Sequence, residues 1–468
     1  MTSTASSDNS RSEISGEGSS SGASWTPDSW RTKTALQQPN WPDANEYESV
    51  LKQLRGFPPL VFAGESRRLT AELGRVSEGR AFLLQAGDCA ESFESFSADS
   101  IRERLKVILQ MAVVLTYSAG VPVVKLGRIA GQFAKPRSAD TETIDGVELP
   151  SFRGHLINDV AFTAKARIPV PARMIEAYHQ SASTLNLLRA FTTGGFADLS
   201  RVHQWNQEFV SASPQGQRYE HLAEEIERAL RFMDACGLDH ETVPALHQTE
   251  VWTSHEALVL GYEEALTRKD SLTGDYYDCS AHMVWIGERT RDLEGAHVEF
   301  FRGIRNPIGC KVGPTASAEQ VLDLCEALNP ERIPGRLTLI TRMGAVNVTD
   351  SLRPLLRSVA DAGHPVVWAC DPMHGNTFTA PSGQKTRHFD SILAEISGFF
   401  EAHRAEGTWP GGVHVELTGD DVTECLGGAE DLLDGDLGLR YETMCDPRLN
   451  GRQSLDLAFG VAELLRKG

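Results

Sequence analysis

Four residues in this chain carry the side-chain types that bind first-row divalent metal ions. They are one thiol, one imidazole and two carboxylates, on Cys89, His374, Glu416 and Asp446. A ligand set of this mixed softness suits Mn²⁺, Co²⁺, Fe²⁺ or Zn²⁺, and the two carboxylates argue against a purely sulfur-seeking metal. A histidine in a loop is more often a surface or capping residue, and sequence spacing alone does not bring four residues together. The metal-site hypothesis rests on where they stand, because each lies at or just after a predicted strand end or in a late loop.

Basic residues occupy the corresponding positions after other predicted strands. This set comprises Arg128, Lys135, Arg137, Arg289, Lys311 and Arg342. Lys311 lies inside an apolar run, where an unpaired ammonium group is expensive to bury. Internal pairing, for instance with Glu288 or Asp88, is the simple alternative for any one of them. Six cations at one rim exceed the nearby acids, so the set indicates an anionic substrate with two anionic groups. A strand lysine also fits a metal-free Schiff-base aldolase, and that reading of Lys311 stays open here.

These residues follow a repeated pattern of short apolar runs that starts at residue 81. Seven runs each end in glycine or a polar residue: AFLLQAGDC, VPVVKLGR, AHMVWIGER, IGCKVG, LTLITRMG, HPVVWACDP and GGVHVELTG. An eighth strand could start in TEVWTSHEAL (249–258). Amphipathic helical stretches lie between the runs, and strand alternating with helix predicts a parallel sheet. We therefore predict an α/β fold of the (β/α)8 TIM-barrel type, whose carboxyl strand ends would gather both residue sets. A doubly wound open sheet is the alternative, but no GxGxxG follows an early strand.

The remaining segments divide the chain around this barrel. Residues 1–24 are rich in Ser and Gly and predict a disordered tail, whose acidic residues do not fit an organelle transit peptide. Residues 25–80 predict an N-terminal extension with an arm and two short helices, followed by a catalytic barrel over 81–468. The stretch from about 172 to 240 is too long for one crossover helix, so we interpret it as a helical insertion.

Composition narrows the class of protein. The 468 residues are 41% hydrophobic and 23% charged, as in a soluble globular protein, and no apolar run approaches the roughly 20 residues that span a bilayer. A net charge of −19 without a basic segment disfavours nucleic acid and anionic membranes and favours small-molecule or protein partners. Eight cysteines without a CxxC pair indicate reduced thiols in the cytoplasm.

Long motifs connect the chain to a known family. They include WRTKTALQQPNWPD, AFLLQAGDCAESF, VVKLGRIAGQFAKPRS, TSHEALVL, AHMVWIGERTR, GRLTLITRMGA, CDPMHGNT, KTRHFDSILAEI, GGVHVELTGDDVTECLGG and RYETMCDPRLNGRQSLDLAF. These closely resemble the class II (plant-like) 3-deoxy-D-arabino-heptulosonate 7-phosphate (DAHP) synthases, in the same order from about residue 25 to 466. Ala86 departs from the family, which usually has glycine there, but no functional group is lost.

The resemblance implies an enzyme, a 3-deoxy-7-phosphoheptulonate synthase. It would condense phosphoenolpyruvate with erythrose 4-phosphate, giving DAHP and phosphate at the entry to the shikimate pathway. It implies a barrel with an N-terminal extension and extra helices, usually a homo-oligomer, here a dimer or tetramer. The inserted helices resemble a regulatory elaboration, which implies inhibition by aromatic amino acids.

The resemblance also assigns residues. The metal ligands map onto Cys89, His374, Glu416 and Asp446, with Mn²⁺ or Co²⁺ expected ahead of Zn²⁺ or Fe²⁺. Phosphoenolpyruvate contacts map onto Arg128, Glu288, Arg289, Lys311 and Arg342, and erythrose 4-phosphate contacts map onto Lys135, Arg137 and Ser138. We expect the catalytic roles to fall on Lys311, Glu288, Arg128 and His374.

Several alternatives stay open at this level. Relatives that use an amino analogue of the aldose phosphate in secondary metabolism share these motifs, and a non-catalytic barrel that binds a phosphorylated metabolite would keep the same ligands. Either Glu288 or a metal-bound water could carry the proton. We interpret Asp371 as a turn residue near the metal and not as a fifth ligand. Cys445 adjoins Asp446, so oxidation without metal could join it to Cys89 in a disulfide.

Overall fold

Eight parallel strands close into a barrel in the computed structural model, which describes residues 25–212, 217–237 and 249–467. Around the barrel the order is β1-β14-β11-β10-β9-β8-β5-β2. The barrel strands are β1 Phe82–Gly87, β2 Val123–Arg128, β5 Trp252–Glu256, β8 Met283–Ile286, β9 Ile308–Val312, β10 Leu337–Thr341, β11 Val367–Cys370 and β14 Gly412–Glu416. The prediction of a (β/α)8 barrel is confirmed, and the open doubly wound sheet is excluded because each of the eight strands pairs with two neighbours and the ring has no edge strand. The eighth strand, β5, lies within TEVWTSHEAL.

The barrel strands are continuous apolar runs because both of their faces are buried. In β1 every residue is buried: Leu83 faces the barrel interior, while Phe82 and Leu84 pack against the surrounding helices. Periodicity alone could not identify the inner face of such strands. Their shortness, and the glycine or polar residue that ends each run, gave the correct prediction.

Helices surround the barrel and form the segments before and within it. They are α1 Ala44–Arg55, α2 Ala63–Ser77, α3 Ala98–Ala119, α4 Arg173–Thr193, α5 Leu199–Ala212, α6 Glu220–Ala235, α7 Leu260–Leu266, α8 Ala296–Gly303, α9 Ala318–Leu328, α10 Val348–Asp361, α11 Phe389–Glu406 and α12 Gly451–Arg466. Local sequence sets their ends. In α3, the Ser97 hydroxyl accepts the backbone N–H of Ser100, and Gly120 takes a left-handed conformation (φ 64°) after the last turn.

The segments predicted outside the barrel have distinct positions. Before β1, a 3₁₀ turn (Ser29–Thr32) precedes α1 and α2, and α2 packs Leu69, Leu73 and Val76 against the inward-facing core at the amino ends of the strands. The predicted insertion contains α4, α5 and α6, while its residues 213–216 and 238–240 and the predicted tail 1–24 lie outside the described residues.

In the described residues, three short β-hairpins lie outside the barrel sheet. They are β3 Thr141–Ile144 with β4 Val147–Pro150, β6 Thr267–Lys269 with β7 Tyr276–Asp278, and β12 Phe378–Thr379 with β13 Lys385–Thr386. Since α2 closes the amino ends of the strands, the carboxyl ends are the open mouth. Within the described ranges, no helix combines the length and apolar character needed to cross a membrane.

Candidate active site

The four predicted metal ligands meet at the carboxyl ends of β1, β11 and β14. Ligand atoms of Cys89, Glu416 and Asp446 lie within 4.8 Å of one another. His374 joins them through Nε2, which lies 3.2 Å from Glu416 Oε1. Cys89 follows β1, Glu416 ends β14 and His374 follows β11, so the parallel strands deliver three ligands to one edge. Asp446 comes from the loop before α12.

The Glu416 carboxylate is the hub of this ligand group. Its Oε1 accepts hydrogen bonds from Arg128 (2.9 Å) and Lys135 (2.8 Å), and its Oε2 accepts one from Arg387 (2.9 Å). Burial alone would raise the pKa of Glu416, but the contacting cations Lys135 and Arg387 outweigh it and hold the pKa well below its usual range. The carboxylate is therefore charged and fixed in orientation, as a metal ligand must be.

Asp371 orients the histidine of the group. Its carboxylate lies 2.8 Å from Nδ1 of His374 and also accepts the backbone N–H groups of Met373 and His374. Because Nδ1–H donates to Asp371, Nε2 keeps its lone pair for the ligand group. The contact places Asp371 against His374, and its role as a residue beside the metal and not a fifth ligand stays a prediction.

The donor set fits a divalent metal ion. Lys135 Nζ lies 3.0 Å from Cys89 Sγ, 3.2 Å from His374 Nε2, 2.8 Å from Glu416 Oε1 and 3.0 Å from Asp446 Oδ2. One cation is thus already shared by all four predicted ligand atoms, so their lone pairs converge on a common region. Burial opposes the charge of Asp446, but Lys135 holds the pKa of that carboxyl far below its usual range.

A pocket of about 220 Å³ opens beside the ligand group. All the predicted substrate contacts line it: Arg128, Lys135, Arg137, Ser138, Glu288, Arg289, Lys311 and Arg342. His374 and Asp446 also reach it, whereas Cys89 and Glu416 are buried behind it. Seven lysine and arginine side chains face three acidic ones across the pocket, which is a strongly cationic surface in a chain of net charge −19.

Two arginines of the pocket are available for an anion. Across the described ranges, neither Arg289 nor Arg342 has a carboxylate within 4.0 Å, and Arg342 donates instead to the backbone carbonyl of His374 (2.9 Å). Arg137 pairs with Glu142 (3.2 Å), and Arg128 pairs with Glu416, so the internal-pairing alternative holds for those two. The pocket nevertheless keeps a surplus of positive charge.

Lys311 has an internal partner as well. Its side chain extends from β9 and donates to Asp371, so Asp371 links the lysine to the histidine of the ligand group. Burial lowers the pKa of Lys311 to about 8, and the neighbouring Asp371 opposes that shift. The lysine is largely protonated at neutral pH and suits the binding of an anion.

The barrel interior positions Arg128. Gln85 accepts a hydrogen bond from Nδ1 of His414 (2.7 Å), which leaves Nε2 of that histidine as the acceptor for the Arg128 guanidinium. The same guanidinium lies over the Trp285 ring, 5.2 Å from its centroid. Inward-facing residues of β1, β14 and β8 therefore fix the arginine that lines the pocket.

Sequence reasoning missed three residues of the site. Glu256 ends β5, lines the pocket and has a shielded Oε1 without a hydrogen-bond partner among the described residues; burial raises its pKa. Arg387 is fully buried against Glu416, and Lys385 lies 3.2 Å from Asp446 Oδ1. The strand-end rule could have found Glu256. An added Cβ at Gly287 would lie 2.1 Å from Glu256 Oε1, so this glycine makes room for the carboxyl group.

A second group of two acids and a histidine is less suited to a metal ion than the group at Cys89, Glu416 and Asp446. Glu94, His155 and Asp159 have potential ligand atoms within 4.8 Å of one another. However, Nδ1 of His155 accepts the backbone N–H of Phe93 (2.8 Å), so the ring proton sits on Nε2. No lone pair is left there for a metal ion.

The fold and the site define a (β/α)8 barrel with a candidate metal-ligand group beside a cationic pocket. Comparison with known proteins gives the family: the chain belongs to the Class-II DAHP synthetase family, whose model matches residues 25–462. The family resemblance seen in the motifs and the prediction of an enzyme are confirmed.

Two relatives of high sequence identity agree with this assignment. A phospho-2-dehydro-3-deoxyheptonate aldolase of Streptomyces coelicolor is 60% identical over 438 residues, covering 93% of this chain and 96% of the relative. The phospho-2-dehydro-3-deoxyheptonate aldolase AroG of Mycolicibacterium smegmatis is 52% identical over 444 residues, covering 94% of this chain and 94% of the relative. A solved structure of the Francisella tularensis aldolase matches with a TM-score of 0.46 at 13% identity, covering 90% of this chain and 97% of that one.

Proposed function

We propose that this chain catalyses the metal-dependent condensation of phosphoenolpyruvate with erythrose 4-phosphate, giving DAHP and phosphate at the entry to the shikimate pathway. The observation that carries the proposal is the conjunction of two features in one pocket. A Cys-His-Glu-Asp ligand group lies beside a cationic surface that includes two arginines unpaired with acids among the described residues. Membership of the family supports the reaction class.

The ligand group would hold the metal through Cys89 Sγ, His374 Nε2, Glu416 Oε1 and one Asp446 oxygen. The two carboxylates and single thiolate favour Mn²⁺ or Co²⁺, with Zn²⁺ and Fe²⁺ as alternatives. When bound, such an ion supplies Lewis-acid polarisation of the acceptor's aldehyde oxygen. Asp371 and Arg387 would keep His374 and Glu416 in position through the contacts described above.

The cationic residues would hold the two substrates. We assign the phosphoenolpyruvate carboxylate and phosphate to Arg128, Arg289, Lys311 and Arg342, and the erythrose 4-phosphate phosphate to Arg137 and Ser138. In this arrangement carbon 3 of phosphoenolpyruvate attacks the aldehyde carbon, and water captures the positive charge that develops at carbon 2. The resulting hemiketal phosphate then loses inorganic phosphate. Much of the rate gain would come from positioning and fixed charge.

Two carboxyl groups in the pocket could supply the proton that the aldehyde oxygen takes up when carbon 3 attacks the aldehyde carbon. Glu288 accepts a hydrogen bond from Arg291 through its Oε1 (3.0 Å), so this carboxylate already pairs with a cation. Glu256 has no such partner within the described ranges, and burial raises its pKa even though Lys135 and Lys311 oppose the shift. A raised pKa and the lack of a paired cation are the properties of a general acid, so we assign the general-acid role to Glu256.

An apolar cavity gives a place for the aromatic effector. It measures about 340 Å³ and lies between α3 and the inserted helices, with Leu109, Ile226 and Met233 in its wall. Lys125 contributes the amine, and burial lowers its pKa to about 8. An aromatic ring fits the apolar wall, and its carboxylate would pair with Lys125. The Ala229→Trp substitution would fill the cavity and abolish inhibition by Phe, Tyr or Trp while leaving the uninhibited rate unchanged.

We also expect a homo-oligomer, a dimer or tetramer, in the cytoplasm, with light scattering as the measurement of mass.

The proposed reaction is tested by phosphate release from phosphoenolpyruvate. Release should require erythrose 4-phosphate, stop after EDTA treatment and return with Mn²⁺ or Co²⁺. Turnover that resists chelation, with Lys311 trapped by borohydride, would support the Schiff-base alternative and contradict the proposal.

A further inference from the structure

The ammonium group of Lys135 occupies the region on which the predicted metal ligands converge. Its Nζ lies within 3.2 Å of one atom on each of the four ligands. Bonds from a first-row metal ion to the same atoms measure about 2.0–2.3 Å. The ammonium and the ion would compete for the same lone pairs and repel each other. Both cannot occupy the ligand group at once.

We propose that Lys135 is an internal competitor for the metal ion, a role that rests on the proposed metal site. Its ammonium holds Glu416 and Asp446 together when no metal is bound. Metal binding displaces it into the adjoining pocket, which Lys135 already lines. The displaced ammonium then adds a positive charge to the surface that receives the anionic substrates, so metal binding and substrate binding are coupled through one side chain.

The surroundings of Lys135 permit this exchange. Its backbone N–H donates to the carbonyl of Arg153 (2.9 Å), so the main chain is fixed while the flexible side chain can turn. Arg387 stays on Glu416 Oε2 and Lys385 stays on Asp446 Oδ1, so the two acids keep partial compensation after Lys135 leaves.

Arg387 shows what a purely structural counter-ion looks like in the same site. Its guanidinium bonds Glu416 Oε2 and the carbonyl of Pro447, away from the oxygen that faces the other ligands. It is fully buried and does not line the pocket. Lys135 differs in both respects, because it contacts all four ligand atoms and borders the substrate pocket.

The first test compares Mn²⁺ binding to purified, EDTA-stripped variants by calorimetry. If Lys135 occupies the ligand group in most molecules, only the remaining fraction can bind Mn²⁺, and the apparent affinity for Mn²⁺ is reduced by that fraction. Lys135→Met should therefore bind Mn²⁺ at least about 10-fold more tightly than the wild type. Lys385→Met is the matched control. It removes a lysine that lies 3.2 Å from the Asp446 carboxylate but is not shared by all four predicted ligands. It should change the affinity by less than about 3-fold.

Melting temperatures give a second readout for the same variants. Stripped Lys135→Met should melt below the stripped wild type, because its ligand carboxylates lose their shared cation, and it should gain more from Mn²⁺ than either the wild type or Lys385→Met. Equal tightening of Mn²⁺ in both variants would indicate a general charge effect and overturn the proposal. Unchanged affinity in Lys135→Met would overturn it as well.

A measurement on the unmodified protein covers the case in which Lys135→Met fails to fold. Brief acetylation followed by peptide mass spectrometry should modify Lys135 more in the presence of Mn²⁺, with Lys385 as the internal reference. Equal or lower labelling of Lys135 with Mn²⁺ bound overturns the exchange while leaving the proposed metal site intact. Absence of Mn²⁺ binding to the wild type overturns the metal site and the exchange together.

Discussion

Nδ1 of His374 lies 2.8 Å from Oδ2 of Asp371, and the same carboxylate accepts a hydrogen bond from Lys311. One buried acid therefore connects a predicted metal ligand to a lysine of the substrate pocket. Burial would raise the pKa of Asp371, but His374 and Lys311 hold it well below its usual range, so the group stays charged. Both halves of the site depend on this charge.

The Asp371→Asn substitution should weaken metal binding. Asparagine keeps the shape but loses the charge that fixes the His374 tautomer, and changes of this kind lower metal affinity by about 10- to 100-fold. Calorimetric titration with Mn²⁺ measures the effect. Asp390→Asn, which removes an exposed carboxylate on α11, is the control and should bind Mn²⁺ as the wild type does. An unchanged affinity in Asp371→Asn would show that the histidine does not need this partner.

Activity should decline on the alkaline side as Lys311 loses its proton. Burial lowers the folded-state pKa of this lysine to about 8, so its ammonium is present at neutral pH and is lost as the pH rises through that value. We expect kcat/KM for phosphate release to fall above about pH 8, which a profile from about pH 6 to about pH 10 would measure. Lys311→Arg keeps the charge and should move the decline upward. A decline that stays in place would belong to another group.

The Glu256→Gln substitution should separate the two candidate proton carriers. Loss of a general acid lowers the rate by about 100-fold or more, with a smaller effect on KM. Glu288→Gln, which removes the carboxylate paired with Arg291, should act mainly on KM. Steady-state kinetics on both variants measures the split between kcat and KM. A larger fall of kcat in Glu288→Gln would reverse the assignment.

The architecture was readable from the sequence because it depends on local patterns. Short apolar runs separated by amphipathic helices predicted the barrel, and the carboxyl strand ends correctly placed Cys89, His374 and Glu416 together. Asp446 does not end a barrel strand; it was grouped with the other three as a carboxylate of a late loop, and the family resemblance gave the same assignment. Within the described residues, all the predicted substrate contacts line one pocket.

The sequence could not predict which groups the long side chains of the site contact. Lys135 was expected only at a substrate phosphate, yet its long side chain turns toward the predicted metal ligands. Arg387 lies before α11 in a stretch without a strand signal, and only the folded chain brings it to Glu416. Such contacts depend on the rotamers of long flexible side chains and on loop paths, for which periodicity carries no signal.

Oxidation of the metal-free protein should join Cys89 to Cys445. The two thiols pack in one buried cluster and are within hydrogen-bonding contact, and the backbone N–H of Asp446 lies 3.4 Å from Cys89 Sγ. Burial raises the pKa of Cys89, but the contact with Cys89 lowers the pKa of Cys445, so peroxide oxidises Cys445 first and Cys89 then displaces water from it to form the disulfide. A bound metal would occupy the Cys89 sulfur and block this step. Peroxide treatment of EDTA-stripped protein should therefore give a Cys89–Cys445 disulfide and loss of activity that thiol reductant reverses, while Mn²⁺ should protect. Peptide mass spectrometry without reduction measures the bond.

Cys445→Ser is the matched control and should resist this reversible inactivation, since Cys89 keeps its place and loses its partner. Two free thiols in stripped, peroxide-treated wild type would contradict the prediction.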